Sequence, residues 1–240
     1  FLERADVTVR FFALQGDEEA FLSEAQAIWR TVEGVTPHEH PGGELHLHLD
    51  FRGLYTVDEI NFPSPGIWQA EFVVADGSPT RSVAFEVKKD GNAPQIGDLV
   101  PATRNPTIHE VQSFSELSSR AVETDDFHNV SVEQALTAGV PFVVFFASPQ
   151  FCMSALCGPV TDTLEQAKLG LPDEVEFIHI EPWDLEVARD DGRLLPSPFM
   201  SAWGLQTEPW TFVVDGTGRV FSRFEGLVTV DEITRALQAL

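Results

Sequence analysis

Pro141 to Pro159 reads PFVVFFASPQFCMSALCGP. The run Phe142-Val-Val-Phe-Phe-Ala147 is apolar throughout and stops at Ser148-Pro-Gln150, the pattern of a strand buried on both faces that exits into a short loop. The loop carries Cys152, and Cys157 follows five residues on; these are the two cysteines of the chain. Val160, Leu164 and Ala167 then recur at one-turn spacing, which predicts a helix. Cysteines at a helix start have a chemical rationale. The first turn offers unpaired N–H groups and the positive end of the helix dipole, both of which stabilise a thiolate. The thiolate is the form that attacks disulfides. A bridge closing so short a loop restricts the unfolded chain little, so the pair points to redox use more than to a static staple. Residues five apart in a regular helix diverge, so a bridge requires an irregular first turn.

From about Pro106 to Leu240 the chain resembles the thioredoxin fold in its extracytoplasmic bacterial branch. The resemblance rests on the strand–Cys–helix motif, the position of Pro159, the stretch Glu208-Pro-Trp-Thr-Phe-Val-Val-Asp215, and a closing hairpin and helix. It implies thiol–disulfide exchange without a required cofactor, with protein thiols or disulfides as partners. Family members carry Cys-x-x-Cys where this chain has Cys-x4-Cys. Two registers follow. In the preferred one Cys152 attacks, Cys157 resolves, and Phe151 takes the place of the family's tryptophan. In the other, Cys157-Gly158-Pro159 matches the start of Cys-Gly-Pro-Cys and Val160 replaces the second cysteine. Thr207-Glu208-Pro209 matches the family's cis-proline pattern. This assigns Pro209 to the catalytic set, and Phe151, Glu208 and Trp210 to a substrate groove. The plainer reading of Pro209 is a proline at the start of a strand.

Outward from this core, residues 1–90 read as β. Val7, Val9 and Phe11 alternate with polar residues, and turn signals at Pro41-Gly-Gly43, Arg52-Gly53, Pro63-Ser-Pro-Gly66 and Asp76-Gly77 separate further short apolar runs. The spacing suggests a β-sandwich, and the pattern from Tyr55 through Phe62 to Trp68 loosely resembles an immunoglobulin-like domain. Residues 91–107 read as a linker or as an extended segment laid along a domain. Residues 108–240 form the thioredoxin-like part. Within it, Ser131-Val-Glu-Gln134 and Thr229-Val-Asp-Glu232 are capping boxes that open helices, the second with Ile233, Ala236, Leu237 and Leu240 on one face. Val175–Glu181 is a strand, Pro182–Gln206 a long connection, and Trp210–Phe224 a hairpin. The expected fold class is therefore an all-β immunoglobulin-like sandwich followed by an α/β thioredoxin-like domain.

With 240 residues there is room for two cores. A formal net charge of −23 disfavours nucleic acid and anionic lipid surfaces. No apolar run is long enough to span a membrane. The start, Phe1-Leu-Glu-Arg-Ala-Asp6, is not a signal peptide, as expected of a chain beginning after a removed signal or a membrane tether; the expected location is extracytoplasmic. Two further function classes stand beside exchange. One is copper handling. His38, His40, His46 and His48 flank Pro41-Gly42-Gly43, and in a hairpin with a three-residue loop they share a face able to take copper or zinc. His179, mid-strand, is then a candidate third ligand beside the cysteines; the plainer reading is a satisfied core or edge histidine. The other is a non-catalytic binding module with a structural bridge. Glu181, at the end of the same strand, is a candidate proton shuttle.

Overall fold

The computed structural model describes residues 3–16, 18–31, 38–39, 45–46, 53–58, 60–120, 126–171 and 175–240. The chain divides into two compact units, Phe1–Val32 with Leu49–Gly91, and Glu33–His48 with Asn92–Leu240. Among the described residues no helix is long and apolar enough to cross a membrane.

The first unit is all-β. Strands β1 (Val7–Gln15), β2 (Glu18–Gln26) and β3 (Ile28–Thr31) come from its first segment; β6 (Gly53–Thr56), β7 (Gly66–Val74) and β8 (Arg81–Val87) come from its second. Two strand pieces, β4 (His38–Glu39) and β5 (Leu45–His46), pair with each other between these segments. The main sheet is antiparallel in the order β2-β1-β7-β8, and β3 pairs with β6 in a second, two-stranded sheet. The period-two pattern of β1 sets its buried face: Val7, Val9 and Phe11 are buried together with Ala27 and Ala70. Phe62 anchors the far side of this core, edge-on to Phe11, Trp68 and Phe85. Tyr55 ties β6 to the start of β1, its hydroxyl accepting from Ala5 N at 2.6 Å.

The second unit is a three-layer α/β structure. Its elements are α1 (Val132–Ala138), β9 (Phe142–Phe146), α2 (Cys157–Leu169), β10 (Glu176–Ile180), α3 (Leu185–Asp191), α4 (Pro198–Ala202), β11 (Trp210–Val214), β12 (Val220–Glu225) and α5 (Val230–Gln238). The sheet order is β10-β9-β11-β12; β9 and β10 run parallel, while β11 is antiparallel to both β9 and β12. All five residues of β9 are fully buried, and they divide by parity. Phe142, Val144 and Phe146 pack with Val132 of α1, Met200 of α4, and Trp203. Val143 and Phe145 pack with Val160, Leu164 and Ala167 of α2 and Ile233 of α5. Helices on both faces explain why the strand has no polar position.

Both capping boxes form as expected. Ser131 accepts from Gln134 N and Thr229 from Glu232 N, each at 3.2 Å. Leu240 is not on the buried face of α5, because the helix ends at Gln238 and Leu240 is 44% exposed. The connection from Pro182 to Gln206 contains two short helices that the sequence reading ran together. Asp184 caps α3, and Ser197 caps α4 with Pro198 in its first turn.

The extended stretch after Asn92 is stitched to the second unit. Gly97 N donates to Val220 O (2.8 Å), Val100 N to Gly218 O (3.0 Å), and Trp203 Nε1 to Thr103 Oγ1 (2.7 Å). Asn105 Oδ1 accepts from Val132 N at 2.9 Å, at the start of α1. Gly204 allows this seam to close. Its φ is +66°, and a Cβ there would lie 2.2 Å from Asn92 O. Gly204→Ala is therefore expected to lower unfolding stability by about 2 kcal/mol or more, read as a lower denaturant midpoint. An unchanged midpoint would show that the Asn92 backbone yields freely.

Candidate functional site

The site is built where β9 ends. The chain leaves the sheet at Ala147, and Ser148 is still fully buried. Residues Met153–Leu156 then form a tight loop in which Ala155 takes a left-handed φ of 62°. This is the irregularity that the cysteine spacing demands. Helix α2 does not begin until Cys157, so Cys152 lies before it and folds back over its N-terminus.

The two sulfurs are 2.7 Å apart, with the Cys157 thiol donating to Cys152. Cys157 N, an unpaired donor of the first helical turn, also donates to Cys152 Sγ at 3.2 Å, and Ser154 Oγ lies 3.4 Å from it. These donors pull the Cys152 thiol down to about 5, the Cys157 hydrogen bond leading and burial opposing. Cys157 moves the other way: burial first, then its donation to Cys152, push its thiol far above the ordinary range. The pair is thus polarised, one sulfur charged and accessible, the other neutral and fully buried.

Glu208 completes the group. Its Oε1 accepts from Met153 N at 2.6 Å and lies 3.9 Å from Cys157 Sγ. Its carbonyl accepts from Ser154 Oγ at 3.1 Å. Burial, helped by the neighbouring Cys152 charge and opposed by the Met153 N–H, raises the carboxyl above its usual range. The Glu208–Pro209 peptide bond is cis. The sequence places Glu208 only in a substrate groove; the structure turns its side chain onto the cysteines. Phe151 and Trp210 pack against the core layer that contains Phe146 and Trp203. Trp210 stacks on Phe212, its indole N–H donates to Thr207 Oγ1 at 3.0 Å, and the Arg223 guanidinium lies over its ring.

His179 follows its plainer reading, a satisfied buried histidine, and not that of a ligand. Its Nδ1 is 3.0 Å from His128 Nε2 and its Nε2 2.7 Å from Ala147 O, so both ring nitrogens are engaged in a buried network. The donor atoms of Cys152, Cys157 and Glu208 do lie within 4.8 Å of one another. That closeness follows from their mutual hydrogen bonding and is no sign of an ion. His38 pairs with His46 across β4 and β5. His40 and His48 lie outside the described residues.

Glu181 touches the loop rather than the sulfurs. Its Oε1 accepts from Ser119 N at 2.5 Å, and Ser119 Oγ in turn lies 3.3 Å from Ser148 Oγ and accepts from Gln150 N at 3.2 Å. Arg120 pins this segment to α2 through Asp162 (2.9 Å) and Glu165 (2.7 Å). The sequence carried no signal for this arrangement, because Ser118–Arg120 lies in an aperiodic stretch. Glu181, Asn105 and Trp183 also line a cavity of about 170 Å³, and Glu181 Oε2, Asn105 Nδ2 and Trp183 Nε1 have no protein partner. A polar cavity of that size admits ordered water. Burial pushes Glu181 up to about 7, against the pull of Ser119 and Ser148.

The strand order, the cysteine pair at the start of α2 and the cis peptide bond before β11 are the features that the resemblance to the thioredoxin fold leads one to expect. No family model matches the chain, and no curated protein matches it. Solved structures similar to it include MTB dsbF in its mixed oxidized and reduced forms, 23% identical, covering 47% of this chain and 87% of that one, with a TM-score of 0.35. A DsbF homologue from Corynebacterium diphtheriae is 20% identical, covering 47% of this chain and 78% of its own, with a TM-score of 0.36. A thiol:disulfide interchange protein of the thioredoxin family from Chlorobium tepidum TLS is 16% identical, covering 61% of this chain and 98% of its own, with a TM-score of 0.37.

Two expectations follow from the electrostatics. Iodoacetamide should modify Cys152 and spare Cys157, with a rate that titrates near the Cys152 value of about 5. A midpoint in the ordinary thiol range would remove the polarised pair. Glu181 binds its proton more tightly folded than unfolded, so its contribution to stability falls as pH rises from the usual carboxyl range to about 7 and is flat above. Glu181→Gln should therefore be more stable than the parent at pH 8, by up to about 3 kcal/mol, with the gap closing near pH 5. Denaturant midpoints at the two pH values decide it.

Proposed function

We propose that this chain is a thiol–disulfide oxidoreductase acting on protein thiols or disulfides through Cys152 and Cys157. The observation that carries the reading is the convergence of the Cys157 N–H and thiol on Cys152 Sγ, at 3.2 and 2.7 Å. Cys152 attacks a substrate disulfide, forming a mixed disulfide and releasing one substrate thiolate. Cys157 then attacks Cys152 Sγ, the bond to substrate breaks, and the Cys152–Cys157 disulfide forms. Run backward, the same steps transfer a disulfide to a substrate dithiol. Pro209 shapes the edge along which an extended substrate lies, with Phe151 and Trp210 behind it.

The magnitudes favour the backward direction. Lowering a thiol from the ordinary range to about 5 raises its ionised fraction at pH 7 roughly a hundredfold, but lowers the nucleophilicity of the thiolate by a similar factor. Attack at neutral pH therefore gains little. The lasting effect is that Cys152 leaves easily from a mixed disulfide and the reduced pair is stabilised, which makes the disulfide oxidising. An oxidant suits an extracytoplasmic setting, and both cysteines of the chain are used in the pair. In the same proposal the first unit is an immunoglobulin-like domain that accompanies the redox domain, residues 1–90 and 108–240 being the respective bounds. An all-β unit with a second sheet, built on Phe11, Phe62 and Trp68, supports that assignment.

Cys152→Ser should abolish exchange with a reduced, disulfide-requiring protein, while Cys157→Ser should accumulate a mixed disulfide visible on a non-reducing gel. Equilibration with glutathione should place the pair above about −250 mV. Full exchange by Cys152→Ser, or a potential below about −300 mV, would leave a structural bridge instead.

A further inference from the structure

We propose that the Glu208 carboxyl is the proton acceptor and donor for Cys157 during exchange. The inference rests on the oxidoreductase reading and adds a catalytic group to it. Cys157 is fully buried, so water does not reach its sulfur in this arrangement. It must nevertheless lose a proton to attack Cys152, and regain one when it leaves. The carboxyl oxygen of Glu208 lies 3.9 Å from Cys157 Sγ, within the range of a sulfur donor. The same oxygen is held by the Met153 N–H at 2.6 Å, and the Glu208 backbone by Ser154 Oγ at 3.1 Å. Both holds come from the loop between the cysteines, so the base is fixed by the element that carries its target.

The titratable groups beside the carboxyl are Cys152, whose charge acts on it, and Cys157, whose sulfur lies 3.9 Å away. On the neighbouring strand β12, Glu225 is bonded to Thr207 Oγ1. In the free reduced pair the Cys152 thiolate raises Glu208 by repulsion. In the mixed disulfide Cys152 is neutral, and the hydrogen bond and charge with which its thiolate held the proton on Cys157 are gone, so the neighbouring carboxylate competes for that proton. The step balances. The Cys157 S–H proton passes to the Glu208 carboxylate, and the Cys157 sulfur forms a bond to Cys152 Sγ. The bond from Cys152 to the substrate sulfur breaks, and the substrate thiolate takes a proton from Glu208 or solvent. In the reverse direction a protonated Glu208 supplies the proton to the departing Cys157. No outside oxidant or reductant enters.

The test is single-turnover reaction of the reduced full chain with an aromatic disulfide, 5,5′-dithiobis(2-nitrobenzoate), followed across pH. The first thionitrobenzoate released reports attack by Cys152; the second reports resolution by Cys157. Glu208→Gln is expected to slow the second release by about tenfold or more at neutral pH. Its remaining rate should rise in proportion to hydroxide, while the first release persists as proof of a folded site. A second release as fast as the parent's, with the same pH profile, overturns the proposal. So does a faster one, which would make Glu208 only a repulsive neighbour. If Glu208→Gln fails to fold, Glu208→Ala with added formate decides: restoration of the second release supports a proton-transfer role, and no restoration overturns it. A parent that gives the first release but never the second fails the oxidoreductase reading itself, a distinct outcome.

Discussion

The second unit depends on the burial of β9 from both sides. Five apolar side chains without exposure contribute roughly 10 kcal/mol of transfer free energy, and that gain is realised only if helices cover both faces of the sheet. Parity then assigns the layers, Phe142, Val144 and Phe146 to one and Val143 and Phe145 to the other. Because β10 lies parallel to β9, the chain must cross over between them, and α2 is that crossover. The N-terminus of α2 therefore opens at the end of β9. The thiolate site is a consequence of sheet topology before it is a matter of cysteine chemistry.

Polarisation of the pair needs more than the helix. A helix N-terminus alone lowers a thiol whose sulfur reaches it, and Cys152 is not in the helix. The left-handed Ala155 turns the loop so that Cys152 Sγ meets the Cys157 N–H. Burial does the rest by separating the two sulfurs: the one with donors and some exposure ionises, and the one sealed beneath it does not. The Ser119–Ser148–Glu181 network holds the stretch before the loop. A longer spacing than Cys-x-x-Cys is accommodated because the extra residues form the turn instead of lengthening the helix.

Legibility in the sequence followed the range of the interaction. The β9 run, the α2 periodicity and the capping boxes at Ser131 and Thr229 are local patterns, and each was readable. Ser197-Pro198 caps and opens α4, but α4 is too short to show a period, and so Pro182–Gln206 reads from sequence as one long connection. The role of the Glu208 side chain was not readable. It depends on a contact spanning more than fifty residues, with the carboxyl held by the backbone of Met153. The engagement of His179 with His128 and Ala147 O was hidden for the same reason.

A carboxyl beside a thiolate opposes the site's own charge, and burial makes that opposition stronger. A site selected only to keep Cys152 ionised would place a neutral or cationic side chain at position 208. The structure instead holds the carboxyl in place with a 2.6 Å backbone hydrogen bond. The arrangement makes sense if the site must serve two sulfurs in turn. In the proposed cycle the helix N-terminus stabilises charge on Cys152, and the carboxyl takes the proton of Cys157 once the thiolate that held that proton has been spent in a mixed disulfide. In that cycle the proton passes between neighbouring groups, and which of them holds it changes with the step of the reaction.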